Sequence, residues 1–289
     1  MKVSFWGVRG SFPVLSPQCA GYGGNTPCLE VDTGSCILID AGTGIRSAGK
    51  ALVERGVEQI HLLLSHTHWD HIQGFPFFAP LYEKNTRIQI YSLRRQGHSL
   101  EDVFRDQQQP SFFPKSLEQI NAELVFTELE DGQSFTIDDS KILCRRMNHP
   151  GVAGGFRIEH GGQTFAYLSD LDLYTHLLLG DDLPADSDRE RQKCLQHLRD
   201  GARDLAHRTD LMVIDTFFLP EEYEPDWGHS RPDDALKLAL EAEVKKIALF
   251  HHEPHRSDGK IDEMVVYYQK KLQGSAELLA AREGLELTV

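Results

Sequence analysis

The stretch "LLLSHTHWDHIQG", residues 62–74, decides the interpretation of the whole chain. An apolar run is followed within six positions by four potential metal ligands, which are His66, His68, Asp70 and His71. Side chains alternate along an extended segment, so the first two histidines of this set point the same way. A helix that begins near Trp69 directs the aspartate and the last histidine to a second point. The pattern therefore predicts one short segment that gives two ligands to each of two metal ions.

Three other places in the chain repeat the arrangement of a strand followed by such a residue. They are His149 after "KILCRRMN", Asp170 after "TFAYLS", and the adjacent His251 and His252 after "KKIALF". Neutral imidazole and carboxylate groups are the usual protein ligands of zinc and related first-row metals. Because two ions need more ligands than the first block supplies, we expect these residues to complete the two sites.

Composition limits the classes of partner. The 289 residues contain 30 Lys and Arg against 44 Asp and Glu, a formal net charge of −14 at pH 7. An acidic surface repels phosphate backbones, so long nucleic acid is not the expected partner. No apolar run reaches the length of a membrane span, so no membrane partner is expected. The five cysteines are odd in number and lack C-x-x-C spacing, which indicates reduced thiols and a cytoplasmic protein.

Strand patterns occur in two groups with helical patterns between them. Strands are predicted near residues 2–7, 28–32, 36–40, 60–66, 86–92, 122–129, 133–138, 141–149, 211–218 and 245–252, and a hairpin turned at "HGG" is predicted over residues 154–170. Helices are predicted within residues 44–56, 94–114 and 231–244, and one or two closing helices within 260–282. The two groups predict two sheets packed face to face and covered by helices, in one domain over residues 1–289.

A net acidic segment at about residues 171–210 interrupts this pattern. Helical spacing dominates it, and four aspartates, Asp181, Asp182, Asp186 and Asp188, cluster in what is predicted to be a loop. We therefore expect a helical insertion on the surface.

The motifs "ILIDAGTG", "LSHTHWDHIQG", "NHPG", "YLSD", "WGHS" and "IALFHH" occur in the order typical of the metallo-β-lactamase superfamily, which the chain resembles. The resemblance implies an α/β fold, the αββα four-layer sandwich, with two divalent ions at one edge. Zinc is the expected metal, with manganese and iron as alternatives.

The same resemblance assigns the ligands. One ion is expected at His66, His68 and His149, and the other at Asp70, His71 and a C-terminal histidine, with Asp170 bridging. Of the adjacent His251 and His252, the first is preferred because it directly follows the strand. Asp40 in "LIDAG" is expected to orient a ligand histidine or to form the turn at the strand end.

The stretch "VIDTFFLPEEYEPDWGHSRPDDALKLA" resembles the phosphodiesterase branch, which includes the tRNA 3′-end processing endonuclease and phosphoribosyl cyclic phosphate phosphodiesterases. By resemblance, Asp215 pairs with His229, which acts as the general acid, and Asp70 belongs to the catalytic centre. A carboxylate partner favours a charged histidine that protonates a leaving alkoxide. The chain departs from the pattern by an aspartate in place of glutamate and by Arg231 in place of threonine.

Four residues are candidates for substrate contact. Arg9 and Ser11 lie in "WGVRGSFP" and Asn25 in "YGGNTPC", and both segments resemble glycine-rich turns that face the metal site in this group. An arginine there suits a phosphate. Arg231 suits either a phosphate or the start of a helix. The structural alternative for the two segments is that their glycines only permit tight turns.

The hypothesis is a dinuclear metal-dependent hydrolase, a phosphodiesterase for a small or cyclic phosphodiester that uses a metal-bridging hydroxide and a histidine general acid. The acidic insertion and the absence of a Gly- and Pro-rich basic arm for a tRNA elbow favour a small substrate. A lactonase or thioesterase on the same scaffold is the first alternative, and a non-catalytic metal-binding sensor is the second. The sequence does not determine the oligomeric state, and a homodimer is compatible with it.

Overall fold

The structure is a computed structural model that describes residues 1–174, 176–178 and 187–289. The predicted loop aspartates Asp181, Asp182 and Asp186 lie outside the described residues, whereas Asp188 is the first residue of a helix. Within these ranges the strands form two sheets of seven.

The first sheet contains the metal-binding block predicted from the sequence. Its strands are β1 (Lys2–Gly7), β2 (Cys28–Asp32), β3 (Cys36–Ile39), β4 (Gln59–Leu63), β5 (Arg87–Leu93), β6 (Glu123–Leu129) and β14 (Glu286–Thr288). They lie in the order β14-β1-β2-β3-β4-β5-β6. Neighbours from β3 to β6 are parallel, and the others are antiparallel.

The second sheet repeats this arrangement. Its strands are β7 (Ser134–Ile137), β8 (Ser140–Arg146), β9 (Gly154–His160), β10 (Gln163–Leu168), β11 (Leu211–Asp215), β12 (Lys246–Phe250) and β13 (Glu277–Ala280). They lie in the order β13-β12-β11-β10-β9-β8-β7. Neighbours from β10 to β13 are parallel, and the others are antiparallel.

The described helices are α1 (Ile45–Glu54), α2 (Trp69–Ile72), α3 (Leu100–Gln107), α4 (Asp188–Ala206), α5 (Pro232–Glu241) and α6 (Asp258–Lys271). Buried residues of α1 and α3 pack with the outer face of the first sheet, and those of α4, α5 and α6 with the outer face of the second. A third core, which includes Phe5 and Phe250, lies between the sheets. These layers are the αββα sandwich that the sequence predicts. Within the described residues, no helix combines the length and apolar character that a membrane span requires.

Local sequence explains the helix ends. The side chain of Ser99 accepts a hydrogen bond from the backbone of Asp102, whose carboxylate accepts one from the backbone of Ser99, and this capping box begins α3. Pro232 occupies the first turn of α5, where a missing N–H costs nothing.

The prediction of helices over residues 260–282 is wrong in its second half. The first helix ends at Lys271, and Gly274, at φ +84°, lies in the turn before β13. The strand β13 then pairs in parallel with β12, which adds hydrogen bonds that a second helix would lack. The short β14, which was not predicted, pairs with β1.

The topology brings the candidate residues to one edge. The segments that carry the candidate residues follow the carboxyl ends of strands that are parallel to one another within each sheet. These strands are β1, β3 and β4 in the first sheet and β8, β10, β11 and β12 in the second. A backbone bridge between Arg9 and His252 joins the two sheets at this edge. Open α/β sheets commonly bind ligands at the carboxyl ends of parallel strands.

Candidate metal centre

The first group of candidate ligands consists of His66, His68 and His149. One nitrogen from each ring lies within 4.8 Å of the others. His66 and His149 are buried, whereas His68 is exposed. Nε2 of His149 lies 3.0 Å from Nδ1 of His68, so the two rings face a common point. The extended backbone of His68 before α2 produces the geometry that alternation along the segment predicts.

The second group consists of Asp70, His71, Asp170 and His251, all buried, with their ligand atoms again within 4.8 Å of one another. Nε2 of His71 lies 3.3 Å from Nε2 of His251 and 3.4 Å from Oδ2 of Asp70. Because α2 begins at Trp69, the helix turns Asp70 and His71 away from the first group. One segment therefore contributes to two separate clusters.

Asp170 lies between the two clusters. Its Oδ2 is 3.5 Å from Nε2 of His66 and 3.2 Å from Nε2 of His71, and its Oδ1 is 3.3 Å from Nε2 of His251. A carboxylate in this position has the reach to bind two ions at once.

Asp40 holds the His71 ring in place. Its Oδ2 lies 2.9 Å from Nδ1 of His71, and the hydroxyl of Tyr167 donates to the same oxygen at 2.6 Å. The backbone N–H of Ser65 donates to Oδ1 at 2.8 Å. With Nδ1 committed to a carboxylate, His71 presents Nε2 to the cluster, which is how a partner residue fixes the tautomer of a metal ligand.

Two other rings are oriented in the same way. Nδ1 of His149 donates to the carbonyl oxygen of Gly228 at 2.8 Å. The hydroxyl of Ser65 donates to Asp40, so its oxygen accepts from Nδ1 of His66, which lies 3.1 Å away. Each ring therefore points its Nε2 inward. Among the described residues, Nε2 of His66 forms no hydrogen bond although it is buried.

The chemistry of these groups fits two divalent first-row ions. Burial keeps the pKa of His66 well below its usual value and lowers the pKa of His149 to about 3, so both rings are neutral and have lone pairs to donate. A buried nitrogen without a hydrogen bond is costly unless something binds it. Converging imidazoles and carboxylates supply that ligand set.

A histidine–carboxylate pair lies beside the second group. Nδ1 of His229 is 3.0 Å from Oδ2 of Asp215, and both residues are buried. Burial alone would lower the pKa of His229, but the Asp215 carboxylate and its hydrogen bond raise it overall. The ring stacks on that of His251, with centroids 5.0 Å apart. The shorter carboxylate, a departure noted from the sequence, thus still reaches the histidine.

Of the two adjacent C-terminal histidines, the structure brings only His251 to the cluster. Nε2 of His252 donates to the carbonyl oxygen of Ala281 at 2.8 Å, and its ring packs edge-on against Tyr22. Burial lowers the pKa of His252 to about 3, so the ring is neutral. The side chains of these two consecutive residues point apart. His252 is therefore a core residue, and the prediction that it binds a metal is wrong.

Two of the predicted substrate contacts are corrected. Arg9 is fully buried and donates to the carbonyl oxygens of Gly23, Glu253 and Arg256 at 2.7 to 3.1 Å. Its guanidinium joins loops and is not available to a phosphate. The side chain of Asn25 donates to Glu283 at 2.9 Å, so its amide group is already engaged by a carboxylate.

The other two candidates lie closer to the site. The backbone N–H of Ser11 donates to Oδ2 of Asp70 at 2.7 Å, so the turn after β1 touches a candidate ligand. Arg231 pairs with Asp234 at 2.7 Å and covers the ring of Tyr223, which matches the alternative of a helix-start residue.

Several residues that build the site were not predicted from the sequence. Tyr167 and Ser65 complete the Asp40 network, and no local pattern marks them. Left-handed backbone conformations at Asp40, Asp170 and His251, with φ between +47° and +62°, were also unforeseen. Such conformations are uncommon outside glycine and concentrate at functional sites.

Comparison with known proteins identifies the family. A family model described as a beta-lactamase superfamily domain matches residues 36–186, about half of the chain. Ribonuclease Z of Archaeoglobus fulgidus is 24% identical over 284 residues, covering 86% of each protein.

Two solved structures show the same fold. The metallo-beta-lactamase fold protein YhfI of Bacillus subtilis superposes with a TM-score of 0.70 and 18% identity, covering 99% of this chain and 98% of that one. The short form of human tRNase Z superposes with a TM-score of 0.65 and 18% identity, covering 100% and 99%. The chain belongs to the metallo-β-lactamase superfamily, and the ribonuclease Z relatives assign it to the superfamily's branch of metal-dependent phosphodiester hydrolases.

Proposed function

We propose that the protein is a dinuclear metal-dependent phosphodiesterase that cleaves a small or cyclic phosphodiester, with His229 as general acid. The observation that supports this most is the 3.0 Å contact between His229 and Asp215, because it lies against the second metal cluster. Phosphodiester cleavage expels an alkoxide, which needs a proton, and a histidine held by a carboxylate is suited to give it.

The two clusters define where the ions would bind. His66, His68 and His149 would hold one ion, and Asp70, His71 and His251 the other, with Asp170 shared. Bound divalent ions supply Lewis-acid stabilisation of charge on phosphoryl oxygens and acidify water. The ligand set suits zinc, with manganese or iron as alternatives.

The remaining chemistry belongs to the chain's own residues. Asp215 accepts from Nδ1 of His229, which leaves Nε2 to donate a proton to the leaving oxygen. The backbone N–H groups of Ser230 and Phe217 donate to the two Asp215 oxygens at 3.0 and 2.9 Å, and they fix the carboxylate in turn. The ring of Phe217 stacks on His229 with centroids 4.7 Å apart and shields it from water.

The substrate size rests on charge. The formal net charge of −14 opposes a long polyanion, and α4 begins with the acidic residues Asp188 and Glu190. The ribonuclease Z relatives make a tRNA precursor the competing substrate. We therefore expect hydrolysis of small phosphodiesters, such as 2′,3′-cyclic nucleotides, to exceed cleavage of a 3′-extended tRNA at equal concentration.

The free cysteines of the described chain agree with the expectation of a cytoplasmic protein.

The decisive assay uses bis(p-nitrophenyl) phosphate and protein loaded separately with zinc, manganese or iron. We expect turnover that EDTA abolishes and metal restores. Absence of turnover on every phosphodiester, together with hydrolysis of a lactone or thioester panel, would replace the proposal with the hydrolase alternative. Tight metal uptake without any turnover would favour the sensor.

A further inference from the structure

A cavity of about 710 Å³ opens beside the metal centre. Ser11 and Phe217, which line it, also belong to the surroundings of the second metal cluster. The Ser11 N–H donates to Asp70, and the Phe217 ring lies 5.7 Å from that of His251. Because the same two residues border the cavity and the cluster, the cavity adjoins the second metal cluster.

The cavity lies on the side of the proposed proton donor. The rings of Phe217 and Phe218 pack on His229 with centroids 4.7 and 6.0 Å away, and both rings line the cavity. The oxygen that His229 protonates is the one on the leaving group. The cavity therefore lies on the side of the site where the leaving group of a substrate would be.

Four aromatic side chains, Phe12, Phe217, Phe218 and Trp227, line the cavity. Phe218 is almost fully buried at the base, whereas Phe12 and Trp227 are 46% and 58% exposed. Neighbouring exposed aromatic side chains form an apolar patch, and such patches mark ligand-binding grooves. They stabilise an apolar or aromatic group by burial and by contact with the ring faces.

The charged groups of the cavity are acidic. Glu224 and Glu253 line it, and neither carboxylate has a hydrogen bond or an ion pair within 4 Å in the described part of the chain. A third glutamate, Glu222, pairs with Arg256. Among the described lining residues there is no lysine or arginine. A second phosphate or carboxylate in the cavity would meet the carboxylates of Glu224 and Glu253. His255 also lines the cavity, and its ring lies 5.6 Å from that of Phe12.

We propose that this cavity binds the leaving group of the substrate, and that it selects an aromatic or alkyl group that is uncharged or cationic over an anionic one. The inference rests on the proposed phosphodiesterase function and specifies the substrate class of that site. It excludes, as preferred substrates, phosphodiesters whose leaving alcohol carries another phosphate, which includes an internal linkage of a nucleic acid chain.

The test uses three methyl aryl phosphodiesters that differ only in the para substituent of the leaving phenol. The substituents are methoxycarbonyl, which is uncharged, trimethylammonium, which is cationic, and carboxylate, which is anionic. Each kcat/KM is divided by the rate of alkaline hydrolysis of the same ester to remove differences in phenol acidity. We expect the first two esters to exceed the third by about tenfold or more, because like-charge contact is unfavourable.

Variants locate the preference in the cavity. Trp227→Ala is expected to raise KM for the uncharged ester several-fold with little change in kcat. The double variant Glu224→Gln/Glu253→Gln is expected to reduce the discrimination against the carboxylate ester. Tyr267→Ala is the matched control, because Tyr267 is 55% exposed on α6 and does not line this cavity. Melting temperatures confirm that the variants are folded.

The possible results distinguish a failure of the proposed function from a failure of the inference about the cavity. If the metal-loaded protein hydrolyses none of the three esters, the proposed function fails. If it hydrolyses all three equally in an EDTA-sensitive reaction, or if Trp227→Ala behaves like Tyr267→Ala, the inference about the cavity is overturned while the proposed function stands.

Discussion

The carbonyl oxygen of Gly228 accepts a hydrogen bond from Nδ1 of His149 at 2.8 Å. The next residue along the chain is His229, the proposed general acid. One turn therefore orients a candidate metal ligand through its backbone and presents the proton donor through its side chain. Metal binding and proton donation are thus linked through a single peptide unit.

This link predicts the effect of Gly228→Ala. Gly228 has φ +76°, and an added Cβ would lie 2.5 Å from Cδ of Pro150 and 2.6 Å from Nδ1 of His149. We expect weaker binding at the histidine cluster together with a loss of kcat. Isothermal titration with zinc and a kcat measurement check both. Gly132→Ala is the matched control, because Gly132 has φ +78° with nothing within 4 Å of the added Cβ. Equal effects of the two substitutions would show that backbone strain, and not the contact with His149, causes the loss.

The Asp40 network predicts a metal-affinity defect. Asp40→Asn keeps a residue that tolerates its φ of +62° but removes the charge that holds Nδ1 of His71. We expect metal affinity to fall by about 10- to 100-fold. Competition with a chromophoric chelator measures the change. Affinity equal to that of the wild type would show that Asp40 only shapes the strand end.

The two adjacent C-terminal histidines are expected to behave differently. His251→Ala should lower the number of bound ions per chain, because it removes a candidate ligand. His252→Ala should leave that number unchanged but lower the free energy of unfolding by about 1–3 kcal/mol, because it removes a buried hydrogen bond to Ala281. Metal analysis by mass spectrometry and urea unfolding distinguish them, and the opposite pattern would move the ligand to His252.

Asp131 gives a stability prediction that is independent of the metals. Burial alone would raise the pKa of this carboxyl, but the Arg146 N–H at 2.8 Å and the His197 ring at 2.7 Å lower it overall. A depressed folded-state pKa contributes stability above the unfolded value of about 4, and this contribution disappears as pH falls through the folded pKa.

Asp131→Asn should therefore cost about 1 kcal/mol of unfolding free energy at pH 7. The difference between variant and wild type should shrink as pH falls below about 4. Urea unfolding of metal-free protein at several pH values gives the difference. A difference that stays constant with pH would show that the charge of the Asp131 carboxylate does not cause the loss of stability.

The sequence predicts the layers and most of the strands because apolar runs and turn residues are local signals. The cluster around His66 and Asp170 was also predictable, since strand ends at one sheet edge meet in space. The burial of Arg9 could not be predicted, because it depends on the carbonyl groups of Glu253 and Arg256, which lie in loops more than 200 residues away in the sequence. The strand β13 was missed for a similar reason. Its composition favours a helix, but parallel pairing with β12 makes it a strand.

His229 is the proposed donor of a proton to the leaving oxygen. The most direct measurement is kcat for wild type and His229→Ala on two methyl phosphodiesters, one with p-nitrophenolate and one with an alkoxide as leaving group. We expect the substitution to lower turnover of the alkoxide ester by about 100-fold or more and that of the p-nitrophenyl ester far less, with metal content unchanged. An equal loss on both esters, or no loss on the alkoxide ester, would contradict it.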